Sequence, residues 1–463
     1  MTVSLLWFRR DLRTRDHPAL QAAVDAGTSV LPVFVLDPRL LTPDRPRARR
    51  LLASVRALAD SLDGRLVVRA GDPVDVIPSL AREVGATSVH VTRETTPFGR
   101  RRDAAVESAL STDGRRLITT GTPYAAEPGR VVTQGGAPYR VFTPFSRAWR
   151  AHGSPPPVPP PRRIPWFDGD VGGVSLPAVS AGGGASGLAG ERAARRAWLD
   201  FLAAGRLERY DRDRDRPDLD ATSRMSIPLK YGEIHPRTLL SDVASHPEGG
   251  TSGAAAFVTE LAWREFYADV LARHPRSGRE NLDSRMDAML VDTGRDARRR
   301  FEAWQQGETG YPLVDAGMRQ LLATGWMHNR VRMVVASFLV KDLHLPWQWG
   351  ARHFMVHLVD GDLASNSHGW QWTAGTGTDA APYFRIFNPV TQSKRFDPDG
   401  AYIRRWVPEL VHIDGDDVHA PWDSRRGIPH GYHPPMVDHR EERAEALRRY
   451  QLVRGPVGRR PAG

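Results

Sequence analysis

Thirteen residues, Asp360 to Trp372 (DGDLASNSHGWQW), hold two carboxylates, two amides, a histidine and two tryptophans. Such a density of acceptors suggests a calcium loop. That loop needs oxygen ligands at positions 1, 3 and 5, glycine at 6 and glutamate at 12. Counted from Asp360, these places include Ala364 at 5, Ser365 at 6 and Gln371 at 12, so the template fails three times. His353 and His357 in HFMVH have metal-like spacing, but Phe354 stands where a zincin carries its glutamate. Ordinary helix histidines are favoured, and no metal site is expected.

Other stretches place unlike chemistries on one helix face. ELAWREFY sets Glu260, Trp263 and Arg264 at offsets of three and four, so a carboxylate, an indole and a guanidinium share one side. A salt-bridged solvent face would not need Trp263. GWMHNRVRM does the same with Asn329, Arg332 and Met333. A buried Arg332 requires an acid, and Asp360 is the candidate. TSRMS, Thr222 to Ser226, offers hydroxyls and backbone N–H groups at a turn. A phosphate cradle and a helix N-cap both fit it. GTGT, from Gly375, is too short to argue a phosphate loop.

The elements that must position these groups fall into three segments. Residues 1–130 alternate apolar runs (VSLLWF, VLPVFVLD, RLVVRA, TSVHVTRE, RLITTG) with amphipathic stretches such as RARRLLASVRALADSL. That rhythm predicts an α/β domain with a doubly wound parallel sheet. No G-x-G-x-x-G follows the first strand, so a dinucleotide site is not supported there. Residues 131–196 contain GSPPPVPPPRRIP and SAGGGASGLAG and read as a connector. Residues 197–463 carry 3.6-residue periodicity and predict an all-α domain.

The 463 residues include no cysteine, which excludes disulfides, thiolate nucleophiles and Cys-ligated metals. The net charge of +10 favours a polyanion as partner. Only three of the 64 basic residues are lysine, a bias that high-GC coding also produces. No apolar run approaches the ~20 residues of a membrane span. The N-terminus is too briefly apolar for a signal peptide, so a cytoplasmic protein without membrane contact is expected.

WFRRDLR (7–13), TGYPLVDAGMRQLLATGWMHNRVRM (309–333), DGDLASN (360–366) and GWQWTAGTGTDAAPYFRIFNP (369–389) resemble the DNA photolyase/cryptochrome family. The likeness runs to about Glu409 and is greatest for the class I cyclobutane pyrimidine dimer photolyases. It implies an antenna domain, a linker and a helical FAD domain, acting on UV-damaged DNA as a monomer without an obligate protein partner. Tyr210, Thr222, Ser223, Arg224, Met225 and Ser226 would hold the FAD diphosphate and ribityl region, and Arg264 would add charge to the phosphates. Arg332 and Asp360 would pair beside the isoalloxazine, with Asp362 at its polar edge and Asn366 at N5. A cation 4 Å from the active, anionic reduced flavin is worth roughly 4 kcal/mol at an effective dielectric of 20, before desolvation.

The lesion would be flipped out, as enzymes that work on a base within a duplex do, photolyases among them. Glu260 and Asn329 would bond its polar edges, and Trp263, Met333 and Trp372 would wall it. Light-driven electron transfer from reduced FAD would then split the dimer. Asn366 resembles photolyases, whereas plant-type cryptochromes carry aspartate there. Relatives that act on (6-4) photoproducts have histidines where this chain has Asn329 and Met333. DASH-type cryptochromes usually have tyrosine at Trp263. The alternative is a blue-light photoreceptor without repair, which usually adds a C-terminal extension longer than the dozen or so residues after Tyr450.

Two departures stand out. Trp370 and Trp347 match the first two members of the family's electron-feeding triad, but residues 281–301 hold no tryptophan or tyrosine for the third. Either Trp304 or Trp349 substitutes, or photoreduction is inefficient. In the antenna domain, ETTPFGRRRD is similar to the loop of deazaflavin-binding photolyases. Glu94, Phe98, Gly99, Arg100 and Arg102 would then hold 8-hydroxy-5-deazaflavin rather than methenyltetrahydrofolate. DNA contacts would come from Arg214, Arg330, Arg385, Lys394 and Arg395, together with Trp263, with steep salt dependence.

Overall fold

The computed structural model describes residues 2–27, 29–42, 45–178, 189–379, 385–425 and 427–454. Most of the connector's SAGGGASGLAG and the AAPYF part of the family motif lie outside them. The chain forms two compact units. Residues 1–211 and 223–275 make the first, and residues 212–222 and 276–463 the second.

The first unit is built on five parallel strands, β1 (Val3–Phe8), β2 (Ser29–Leu36), β3 (Val67–Ala70), β4 (Ala86–Val91) and β5 (Arg116–Thr119), in the order β3-β2-β1-β4-β5. Every residue of β1 is buried, as expected of a central parallel strand covered on both faces. Val3 lies opposite Ser29 and Phe8 opposite Phe34. The four helices following β1 to β4 each open with proline, at Pro18, Pro46, Pro73 and Pro97. Proline costs nothing there because the first-turn N–H has no intrahelical partner. Strand order reverses between β1 and β4, the place where open α/β sheets bind ligands.

Helices Pro236–Ser245 and Ser252–Arg273 also belong to this unit, although composition alone groups them with the later helices. Buried polar contacts explain it. The Glu265 carboxylate accepts from the N–H groups of Ala125 at 2.8 Å and Ala126 at 2.9 Å. Arg50 pairs with Glu233, and Arg237 Nη2 donates to Asp16 at 2.5 Å. Gly232 sits at φ +67°, where a Cβ would lie 1.9 Å from the Arg10 carbonyl oxygen. Only glycine allows that approach.

The regular elements of the second unit are helical among the described residues. Arg295–Gln306, Pro312–Thr324, Asn329–Ser337, Trp347–His357 and Leu363–Ala374 pack around Trp304, Val314, Met318, Val331, Phe338 and Trp370. Asp315 is buried among them. It accepts from Thr309 N (2.8 Å), Thr309 Oγ1 (2.7 Å), Gly310 N (3.0 Å) and Tyr432 OH (2.7 Å). Residues 327–343 read as one helix in sequence. The α-helix instead ends at Ser337 and continues as a π-helical turn, Phe338–Asp342. Such turns re-aim side chains where a regular helix would not.

Candidate functional site

In the first unit, helix Ser252–Arg273 brings Glu260, Trp263 and Arg264 together as its spacing predicts, all half-buried. The Trp263 indole stacks on Phe142, with centroids 3.5 Å apart and planes 7° apart. The Arg264 guanidinium lies 4.4 Å over the Tyr124 ring and donates through Nη1 to the Pro123 carbonyl at 3.1 Å. Its Nη2 is buried and has no partner among the described residues. A buried guanidinium donor left over is what an anionic ligand would satisfy.

Tyr210 is buried, edge-on to Phe257 at 5.5 Å. Ser223 to Ser226 form the turn before helix Ser226–Tyr231, with Arg224 at φ +53°. The helix has no side-chain cap, so an N-cap role does not explain the hydroxyls. Ser223 Oγ instead accepts from Met225 N at 3.4 Å. Thr222 falls in the second unit and is half-buried.

The ends of β1 and β4 carry a charged cluster. Asp11 accepts from Arg9 N (2.7 Å) and Thr92 Oγ1 (2.5 Å). Arg9 and Arg102 lie 4.7 and 5.0 Å from the Trp7 ring centroid, and both pair with Asp103. Glu94 accepts from Thr95 N (2.8 Å) and Thr96 N (3.1 Å) and lies 3.5 Å from Arg10. Burial alone would raise Glu94, yet Arg10 and Arg102 hold it below the usual carboxylate range. A Cβ on Gly99 would meet Glu94 Cγ at 1.7 Å. Phe98 lies between Arg39 and Arg102 at 5.3 and 5.8 Å. Arg100 donates instead to the Ala272 carbonyl at 3.4 Å. Trp7 and Arg9 were missed in sequence, although WFRRDLR shows them at the end of an apolar run.

The second unit contains the expected ion pair. Arg332 Nη2 reaches both Asp360 oxygens, at 3.1 and 2.9 Å, and Nε donates to the Met327 carbonyl at 2.8 Å. Asp362 has a structural duty that the sequence reading omitted. Its Oδ1 caps helix Leu363–Ala374 by accepting from Ala364 N and Ser365 N, both at 3.1 Å. Asn366 Nδ2 donates to the Ala351 carbonyl at 3.0 Å. That bond fixes the amide and leaves Oδ1 as its remaining acceptor. Trp370 is buried with Nε1 unpartnered among the described residues. Trp347 is buried too, and its Nε1 donates to Asn281 Oδ1 at 2.8 Å.

Asn329 is exposed and Met333 half-buried on helix Asn329–Ser337. His328, also missed in sequence, caps this helix through Nδ1, which accepts from Arg330 N at 3.2 Å. Burial pulls His328 down to about 4, against the opposing pull of Asp215. Its Nε2 is another buried atom without a described partner. Arg330 donates to Asp215 at 2.6 Å and lies 4.4 Å from the Phe396 ring centroid, where Arg395 also lies, at 5.1 Å. Arg214 stands 3.9 Å from Asp215. Arg385 lies over half-buried Trp372 at 5.8 Å. Lys394 is separately engaged with Asp416 at 2.9 Å.

Comparisons with known proteins agree with these motifs. A family profile described as DNA photolyase matches residues 4–162, and one described as FAD binding domain of DNA photolyase matches residues 257–452. The chain is 40% identical to a deoxyribodipyrimidine photo-lyase of Streptomyces griseus, over 98% of this chain and all of that one. It is 37% identical to that of Escherichia coli, over 98% and 99%. A class III photolyase structure from Agrobacterium tumefaciens superposes with a TM-score of 0.90 at 36% identity, covering 98% of each chain. A Synechocystis cryptochrome structure gives 0.90 at 29% identity, covering 97% of this chain and 99% of that one.

Proposed function

The chain belongs to the DNA photolyase/cryptochrome family, and from that premise we propose how its residues carry out light-driven repair of cyclobutane pyrimidine dimers in DNA. The chemistry that FAD would supply when bound and reduced is the light-driven loan of one electron to the cyclobutane ring. The observation that carries the reading is the pinned amide of Asn366. With Nδ2 committed to Ala351, Oδ1 would accept from the N5–H that only the reduced ring bears. A carboxylate at this place would add a charge, whereas the amide does not.

The other residues bind, orient and exclude water. Arg332, held by Asp360 and the Met327 carbonyl, would place a fixed cation beside the reduced ring. Tyr210, the turn from Thr222 to Ser226 and Asp362 would complete the hold on the cofactor, and the spare Nη2 of Arg264 suits its phosphates. For the lesion, the family resemblance assigns the Glu260 carboxylate and the Asn329 amide to its polar edges and Trp263, Met333 and Trp372 to its apolar faces. Arg214, Arg330, Arg385, Lys394 and Arg395 would meet DNA phosphates.

An antenna chromophore is the finer part of this proposal. The cluster of Arg9, Arg10 and Arg102 with Trp7 and Phe98 suits a planar ring with an anionic edge. An 8-hydroxy-5-deazaflavin meets that description better than a folate. The test of function is light dependence. Reduced protein with a dimer-containing oligonucleotide should restore thymine absorbance under illumination and not in the dark. Equal results in light and dark would remove the reading.

A further inference from the structure

Inside the second unit a continuous run of aromatic rings leads from Trp370 to the surface. Trp370 meets Trp304 edge-to-face with centroids 6.1 Å apart. Trp304 stacks on Phe301 at 5.7 Å and 15°. Phe301 meets Trp349 at 5.3 Å. Trp304 is fully buried, whereas Trp349 is half-exposed, with the Arg298 guanidinium 4.7 Å from its ring centroid. Gly350 makes the inner end possible. A Cβ there would lie 2.1 Å from Trp370 Cη2, so only glycine lets the indole rest on helix Trp347–His357. Trp349 lies on that helix two residues beyond Trp347, and Phe301 and Trp304 lie on helix Arg295–Gln306.

Resting on the flavin reading above, we propose that Trp349 is the terminal electron donor for photoreduction of this protein, reached from Trp370 through Trp304, with Phe301 as the bridge.

The protons decide where the oxidising equivalent settles. Oxidised indole is stabilised on losing its Nε1 proton. Trp370 Nε1 has no acceptor among the described residues. Trp304 Nε1 donates to the Val335 carbonyl at 3.1 Å, and Trp347 Nε1 to the Asn281 amide. Neither oxygen is a base, so these three indoles can relay charge and cannot trap it. His353, edge-on to Trp304 at 5.5 Å, is pulled down to about 3 by burial, helped by His357. It is neutral and does not repel a positive hole on Trp304. Half-exposed Trp349 can give its proton to water, and Arg298 over its ring favours the uncharged, deprotonated form.

The balance closes. One electron leaves Trp370 for the photoexcited oxidised flavin, and the hole moves through Trp304 to Trp349. Benzene is harder to oxidise than indole, so Phe301 only mediates tunnelling. The Trp349 N–H bond then breaks, its proton goes to water, and a neutral radical remains. A soluble thiol later returns one electron and one proton.

Transient absorption of the purified, oxidised FAD-bound protein tests this. Wild type should show a long-lived neutral tryptophan radical. Trp349→Phe should lose that signal, and Trp347→Phe should keep it. Trp349→Tyr should replace the broad visible band with the narrow band of a tyrosyl radical, a change no structural role would produce. Loss of the long-lived radical in Trp347→Phe with retention in Trp349→Phe would overturn the assignment, as would an unchanged band in Trp349→Tyr. Dimer splitting by the same preparations after chemical reduction reports the proposed function separately, because it does not need the chain.

Discussion

The crevice at the ends of β1 and β4 and the interior of the second unit treat buried polar groups in opposite ways. In the crevice, charge meets charge. Burial would raise Asp11, yet His17 and Arg9 hold it far below the usual carboxylate range, and Glu94 is held low by Arg10 and Arg102. In the second unit, burial wins. His328 falls to about 4 and His353 to about 3. Lys341, which donates to the Arg385 carbonyl, falls to about 7. Several of its polar atoms, such as His328 Nε2 and Trp370 Nε1, keep no described partner. The first arrangement suits a charged, planar guest. The second suits the electron route proposed for it, with Arg332–Asp360 as a placed exception.

The exception should be the costliest place to break. Arg332→Met takes the guanidinium away from the buried Asp360 carboxylate, whose side chain is 2% exposed. The expected loss is about 3–5 kcal/mol, read by chemical denaturation, with loss of bound FAD. Asp360→Asn in the same background should recover part of the stability. No recovery would mean that Asp360 is not what Arg332 compensates.

Acid should next erase the neutral character of the second unit. The folded-state value of His328 is depressed, so the folded protein binds fewer protons than the unfolded chain between pH 6.5 and 4. This contribution to stability is full above pH 6.5 and is lost as pH falls toward 4, by about 3 kcal/mol. His328→Asn keeps a capping side chain and should flatten that part of the pH–stability curve. An unchanged curve would show that His328 does not titrate as its burial implies.

Sequence carried the two regions unequally. The strands were readable because parallel strands buried on both faces are continuous apolar runs. The Glu260, Trp263 and Arg264 face was readable from helical spacing, and the Arg332–Asp360 pair from the rule that a buried cation needs an acid. The attachment of residues 223–275 to the sheet was not, because Arg50–Glu233 and Arg237–Asp16 join residues far apart and leave no periodic mark. The contact of Trp304 with Trp370 was hidden for the same reason. The capping duty of Asp362 was masked by the flavin contact its carboxylate suggested, and His328 was not singled out in the sequence at all.

Smaller effects sharpen the contrast further. Trp263→Ala removes the Phe142 stack and the face proposed for a flipped base. Stacking is worth ~1–3 kcal/mol per base, so dimer-specific binding should weaken roughly ten-fold or more in a fluorescence titration. Gly99→Ala places a methyl group on Glu94 and costs about 1–3 kcal/mol if Glu94 yields. Its clearer signature is lower chromophore occupancy in the first unit with dimer splitting retained. Lys394→Ala should do least. The ammonium is exposed and already engaged by Asp416, so the salt dependence of DNA binding should change by less than about one phosphate contact. An unchanged salt dependence would mean that Lys394 meets no DNA phosphate.

The most direct test of the whole account is a photon-counted repair assay on chemically reduced, FAD-bound protein with one dimer per oligonucleotide. Intact pyrimidines should appear in proportion to absorbed light, with the DNA strand uncut and nothing formed in the dark. Absence of intact pyrimidines under light, or their appearance in the dark, would contradict the claim that this chain splits dimers by light-driven electron transfer.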